Sequence, residues 1–183
     1  AAISESLLRS CVERAEGNPL FLEQLLLNAG DEGATSLPGS IQALIQARMD
    51  RLAPPDKNAL QAAAVLGQSA SLAAIRHLVG DPAYDAARLI DQFLLRPEGD
   101  DLVFCHALIR DGAYASLLHA RRRQLHQEAA AWILPQDAAL AAEHYERAED
   151  SRAAEAYLQA VAQAAAQYHF AEALELVQRA LRL

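Results

Sequence analysis

Residues Leu94–Leu118, LLRPEGDDLVFCHALIRDGAYASLL, decide how the chain is read. Leu94 and Leu95 close an apolar run. Pro97, Gly99 and the Asp100–Asp101 pair supply turn chemistry. Leu102, Val103 and Phe104 are apolar and β-prone. Two such runs across so short a loop predict a hairpin. A helix is expected at once: Ala107, Leu108, Ala113, Tyr114, Leu117 and Leu118 recur at helical spacing, with Arg110 and Asp111 between them. His106 stands where strand gives way to helix. A hairpin fixed to helices has the outline of a wing, a shape that serves as a nucleic-acid reader or as a rigid packing module.

Working outward, composition predicts a mainly helical protein. The 183 residues are 52% hydrophobic and only 5% aromatic, and much of the apolar content is alanine, the best helix former. The formal net charge of −8 opposes nucleic-acid binding, because phosphate neutralisation supplies most of that affinity. Cys11 and Cys105 are far apart and in no ligand-like spacing, so a reducing, cytoplasmic setting is expected rather than a disulfide framework. No apolar run reaches the ~20 residues of a membrane span, and no membrane partner is expected. Ala1 and Leu183 both fall inside helical patterns, which suggests a piece of a longer protein.

Ahead of the hairpin, helices are expected over Ile3–Ala15, Pro19–Asn28 and Pro38–Arg51. Gly17 breaks the first, and Asn18 and Pro19 are cap and first residue of the second. Gly30–Ser36 reads as a loop. Pro54 and Pro55 mark a boundary. Three short helices follow over Asp56–Leu66, Leu72–Val79 and Tyr84–Leu94, the first two stopped by Gly67 and Gly80. Three helices and a hairpin predict a winged-helix arrangement. Beyond Leu118 come a helix that Pro135 ends and three alanine-rich helices, Asp137–Arg147, Arg152–Gln167 and Phe170–Leu183. The last pair resembles one tetratricopeptide (TPR) repeat of about 34 residues, matching at Tyr157, Phe170, Ala173 and Ala180 and departing at Val161 and Ala164. One repeat cannot bury its own apolar face, so further repeats are expected.

Five blocks in order, GNPLFLEQLL (Gly17–Leu26), LPGSIQALIQARMDRL (Leu37–Leu52), LQAAAVLG (Leu60–Gly67), FCHALIRDGAYASLL (Phe104–Leu118) and AAEHYERAED (Ala141–Asp150), make the chain resemble the signal-transduction ATPases of the STAND class, relatives of the NB-ARC and AP-ATPase proteins. The subgroup it looks like is that of bacterial regulators in which the ATPase precedes tetratricopeptide repeats, often fused to adenylate or guanylate cyclase or to transcription-activator domains. The resemblance implies a helical lid over residues 1–53, a winged-helix domain over 54–118 and the start of TPR-like repeats over 119–183. It implies that Gly17, Asn18 and Pro19 match the lid motif whose proline packs on adenine. It further implies that His106 stands where a winged-helix histidine touches the β-phosphate of ADP. Cys105 and Ala107 flank it where NB-ARC proteins carry a bulky apolar residue and Asp.

No GxxxxGK[ST] loop is present, and none of the eight glycines is followed by lysine. The expectation is therefore a non-catalytic segment without a metal or a cofactor of its own, with ATP or ADP bound in the longer protein. An upstream ATPase core is the expected partner, with a protein or small effector at the repeats. Two rival readings stand beside it: a DNA-binding winged helix, whose reading helix Ala74–Gly80 offers only Arg76 and His77, and a nucleotide-blind interaction scaffold. Arg121–Arg123 read as a solvated face or helix ion pairs, and Glu143, His144 and Glu146 as a wet helix face. His119 and His126 are too far apart for one metal, and Trp132 and Tyr145 read as anchors between helices.

Overall fold

A computed structural model describes residues 5–15, 17, 19–30 and 40–183. Among them are eleven helices and a three-stranded antiparallel sheet. The expected cap Asn18, the loop 31–36 and the helix start at Pro38 lie outside the described residues. The first three helices are α1 (Glu5–Ala15), α2 (Pro19–Gly30) and α3 (Ile41–Asp50). Then come α4 (Pro54–Leu66), β1 (Ser69–Ser71), α5 (Leu72–Val79), α6 (Ala87–Asp91), β2 (Leu95–Glu98), β3 (Asp101–Phe104) and α7 (Ala107–Ala115). Four helices close the chain: α8 (His119–Ile133), α9 (Ala138–Arg147), α10 (Arg152–Ala166) and α11 (Phe170–Ala180).

Local chemistry sets these limits. Pro54 opens α4 with Asp56 in its first turn, where a carboxylate meets the positive end of the helix dipole. The Ser71 hydroxyl accepts the Ala74 N–H and starts α5. Gly80, at φ 70°, ends it in the left-handed conformation, with the Asp81 N–H returning to the Arg76 carbonyl.

The sheet order is β1–β3–β2, so β3 is central. Leu95 pairs with Phe104 and Glu98 with Asp101, which leaves Gly99 and Asp100 as a two-residue loop. Gly99 takes φ 62° while Asp100 stays at negative φ, the pattern of a type II′ turn. Pro97 is therefore in a strand and not in the turn; β2 is an edge strand, where a residue without an N–H is tolerated. β1 was not expected. It adds to the free side of β3 through Ser69–Val103, Ala70–Leu102 and Ser71–Asp101.

The helix expected over Tyr84–Leu94 is shorter, Ala87–Asp91. Before it, the Tyr84 hydroxyl is buried on Asp56 at 3.1 Å, and Asp85 accepts the Ala87 N–H. After it, the Arg48 guanidinium donates to the Gln92 carbonyl and Phe93 turns to φ 53°. A left-handed residue without glycine's freedom stops the helix.

Apolar packing runs the length of the chain. Cys11, Ala15, Leu25 and Leu44 bury α1–α3 together. Ile45, Met49 and Leu52 of the same α3 segment join Leu60, Ile75, Leu89, Phe104 and Ile109 in the main core. Ala62, Val65, Leu78, Leu117, Leu125 and Ala129 then tie α8 to α4 and α5, and Ala130 passes into an alanine-rich core with Tyr145, Tyr157 and Leu176. Shared cores thus cross both Pro54 and His119. Gly112 eases one crossing: a Cβ there would meet Ile45 Cγ2 at 3.0 Å, so any larger residue would push the Ile45 side chain aside where α3 lies on α7.

Candidate functional site

His106 is the N-cap of α7. Its backbone is extended (φ −152°, ψ 145°), and its Nδ1 accepts the Leu108 N–H at 3.1 Å. An accepting Nδ1 leaves the proton of a neutral imidazole on Nε2. Among the described residues, nothing takes that proton. The half-buried ring therefore closes a helix with one nitrogen and offers a hydrogen-bond donor with the other, beside the first free N–H groups of α7.

Charged groups from three other elements act electrostatically on this junction. Cys105 is exposed as a residue, yet partial burial raises its thiol above the ordinary range; Arg96 opposes that shift, Glu23 adds to it and Arg48 opposes it. Arg96 comes from β2, where it pairs with Glu98 at 2.5 Å. Arg48 comes from α3 and is buried. Glu23 comes from α2, one helical turn past Pro19 and on the same face. Pro19 itself is exposed at the start of α2, after Gly17 at φ 81°. Of the sequence-expected residues, then, Gly17 and Pro19 lie at the mouth of a helix whose Glu23 is within electrostatic reach of the Cys105–His106 junction. Asn18 lies outside the described residues.

A groove of ≈610 Å³ lies nearby but does not include Pro19 or His106. It runs between α3 and α7, over Ile45, Gln46, Leu108 and Gly112. It is the trough left beside Gly112 where the two helices meet.

A second constellation was missed by the sequence. The Tyr114 hydroxyl of α7 lies 2.9 Å from Nε2 of His126 on α8, and His126 Nδ1 lies 2.9 Å from Nδ1 of His144 on α9. Both histidines are buried. Burial lowers the His126 pKa to about 3, helped by His144, Arg147 and Arg122. Burial lowers the His144 pKa to about 4, helped by Arg147 and opposed by Glu143. Both are therefore neutral, and one proton serves the Nδ1···Nδ1 bond. His144 is thus no part of the expected wet face.

Two arginines of the 121–123 run are engaged within the fold. Arg122 lies over the Tyr114 ring and donates to the Leu117 carbonyl; Arg123 donates to the Ala148 carbonyl at the end of α9. In the rival DNA-reading helix, Arg76 donates to the Tyr84 carbonyl and His77 packs on Trp132, with ring centroids 4.5 Å apart. Trp132 and Tyr145 do join helices, Tyr145 beneath the Arg152 guanidinium. Among the described residues, no group of three or more His, Cys, Asp or Glu could hold a metal ion, and no helix is long and apolar enough to cross a membrane.

Comparison with protein-family models, with curated proteins and with solved structures returned no match.

Proposed function

We propose that this chain is a regulatory, non-catalytic segment of a STAND-type signal-transduction ATPase. Residues 1–53 act as the lid, 54–118 as a winged helix and 119–183 as the start of TPR-like repeats. The order helix, strand, two helices, hairpin, with the first strand added to that hairpin, supports the winged-helix reading. The lid and the winged helix hold ADP or ATP from one side, Pro19 of the Gly17–Asn18–Pro19 motif against the base and His106 against a phosphate. The repeats carry the change of state to a transcriptional or cyclase output.

One observation carries the reading. The Nδ1 bond to the α7 backbone fixes the His106 ring and leaves Nε2–H as a donor with no partner among the described residues, beside a Cys105 thiol that Arg96, Glu23 and Arg48 act on electrostatically. A ligand that touches two elements differently in two states can bias a switch between them. The proposal requires a phosphate-binding loop in an upstream core. ADP titrated into the chain joined to that core should bind more weakly with Pro19→Ala and with His106→Ala. Equal affinity in wild type and both variants would remove the nucleotide from the account.

The tail favours a scaffold as the second reading. Leu158, Tyr168, Phe170, Leu174 and Leu181 are all exposed on α10, α11 and their ends, an apolar surface of the kind that marks protein contacts. The DNA reading has less support, since Arg76 and His77 are already engaged within the fold. Duplex binding that weakens steeply with added salt would revive it.

A further inference from the structure

A cleft of ≈350 Å³ lies where the end of α4 meets α7 and α9. Its apolar floor is Ala64 and Val65, and Arg110, Asp111, Tyr114 and Arg147 complete the lining. We propose that this cleft binds a small organic carboxylate, with the carboxylate between Arg110 and Arg147 and the apolar body against Ala64, Val65 and the Tyr114 ring.

Two guanidinium groups reach one cleft from two different helices, in a chain whose formal net charge is −8. Neither is used up. Arg110 bonds its own neighbour Asp111 through Nε and Nη2, which leaves Nη1. Arg147 has Glu143 at 3.6 Å with its side chain 54% exposed, a surface pair of little strength. A third cation, Arg122, lies with Cζ 4.9 Å from the centre of the Tyr114 ring, and its Nε is buried without a partner among the described residues.

The remaining charges narrow the ligand. Asp111 faces the same cleft, and α4 ends there with the negative end of its dipole. Both oppose a dianion such as phosphate. A single carboxylate matches two converging guanidinium groups in charge and in planar shape. The ligand would also lie against Tyr114, whose hydroxyl opens the buried chain to His126 and His144. Its charge would offset Arg147, which helps keep both imidazoles neutral. An occupant here would tie α7 to α9 and so join residues 54–118 to the repeats. The inference does not depend on the nucleotide reading.

Hexanoate is a suitable probe, with hexylammonium and inorganic phosphate as controls, followed by NMR on the intact chain. Saturable shifts at Ala64, Val65 and Tyr114 with hexanoate alone are expected. Arg110→Gln and Arg147→Gln should each weaken binding roughly tenfold, the size of one lost charge-assisted hydrogen bond, while thermal unfolding stays near wild type. The proposal is overturned by an absence of saturable shifts, by equal binding of hexylammonium, by tighter binding of phosphate, or by unchanged hexanoate affinity in the double variant.

Discussion

The two ends of α7 use histidine in opposite ways. At the N-terminal end, His106 bonds to backbone, stays half-buried and keeps a donor free. Near the C-terminal end, Tyr114 opens a chain in which His126 and His144 bond to each other in the dry contact between α8 and α9. The first arrangement suits a ring that must meet a ligand. The second suits rings that hold helices in register, because Tyr114, His126 and His144 bond in series and removing one leaves a neighbour without its partner. An imidazole thus keeps a donor free in one place and is fastened in the other, and the difference lies in what else its nitrogens touch.

That contrast can be broken, most severely at the fastened end. His144→Ala removes a buried ring and leaves His126 Nδ1 unpaired, so unfolding in urea should show a loss of roughly 2–4 kcal/mol. Replacing His126 and His144 together with leucine should cost less than the sum of the two single changes, since both partners go at once. A strictly additive result would mean that the Nδ1···Nδ1 bond contributes nothing.

Acid attacks the same place. The folded-state pKa values, about 3 for His126 and about 4 for His144, lie below the ordinary value of 6.5. Between those limits the unfolded chain takes up protons that the folded chain refuses, so stability is full above pH 6.5 and falls as pH drops. The slope should approach ~1.4 kcal/mol per pH unit for each histidine. Protonation would also set two donors face to face across 2.9 Å. A flat stability profile between pH 6.5 and 5 would mean that the pair is hydrated.

Smaller effects follow. Tyr114→Phe leaves His126 Nε2 without its partner and should cost about 1–2 kcal/mol. At the other end of α7, His106→Ala removes only a helix cap and should cost about 1 kcal/mol. A loss at His106 as large as that at His144 would erase the distinction between the two ends.

Much of the fold was legible. Turn residues between short apolar runs marked the β2–β3 hairpin, and Gly67 and Gly80 marked helix ends, because those residues act through local backbone geometry. β1 was not legible, since Ser69–Ser71 is short and partly polar and becomes a strand only by pairing with β3. α6 was overestimated because the Tyr84–Asp56 bond and the Arg48–Gln92 contact, both long-range, hold its flanks out of the helix.

His106 could be singled out because a lone histidine at a strand–helix joint is visible as such. His144 could not. α9 packs between α8 and α10, so Ala141, Ala142, His144 and Tyr145 are all buried, and a helix enclosed on two sides has no single apolar stripe. Alanine deepens the problem, because it is as common on a wet face as in a close helix contact. The Glu23, Arg48 and Arg96 neighbourhood was equally hidden, being assembled from three elements distant in sequence.

The central claim is that His106 is a ligand contact as well as a cap, and His106→Asn separates the two roles. Asparagine caps helices well, but with its oxygen on the backbone its amide N–H₂ sits closer to the main chain than the imidazole Nε2–H does. ADP affinity should be measured for wild type and His106→Asn in the chain joined to the upstream core that the proposal requires. At least roughly tenfold weaker binding, with unfolding unchanged, is the result predicted for a lost hydrogen bond to a charged phosphate. Equal affinity in the two proteins would contradict it and leave His106 as a cap alone.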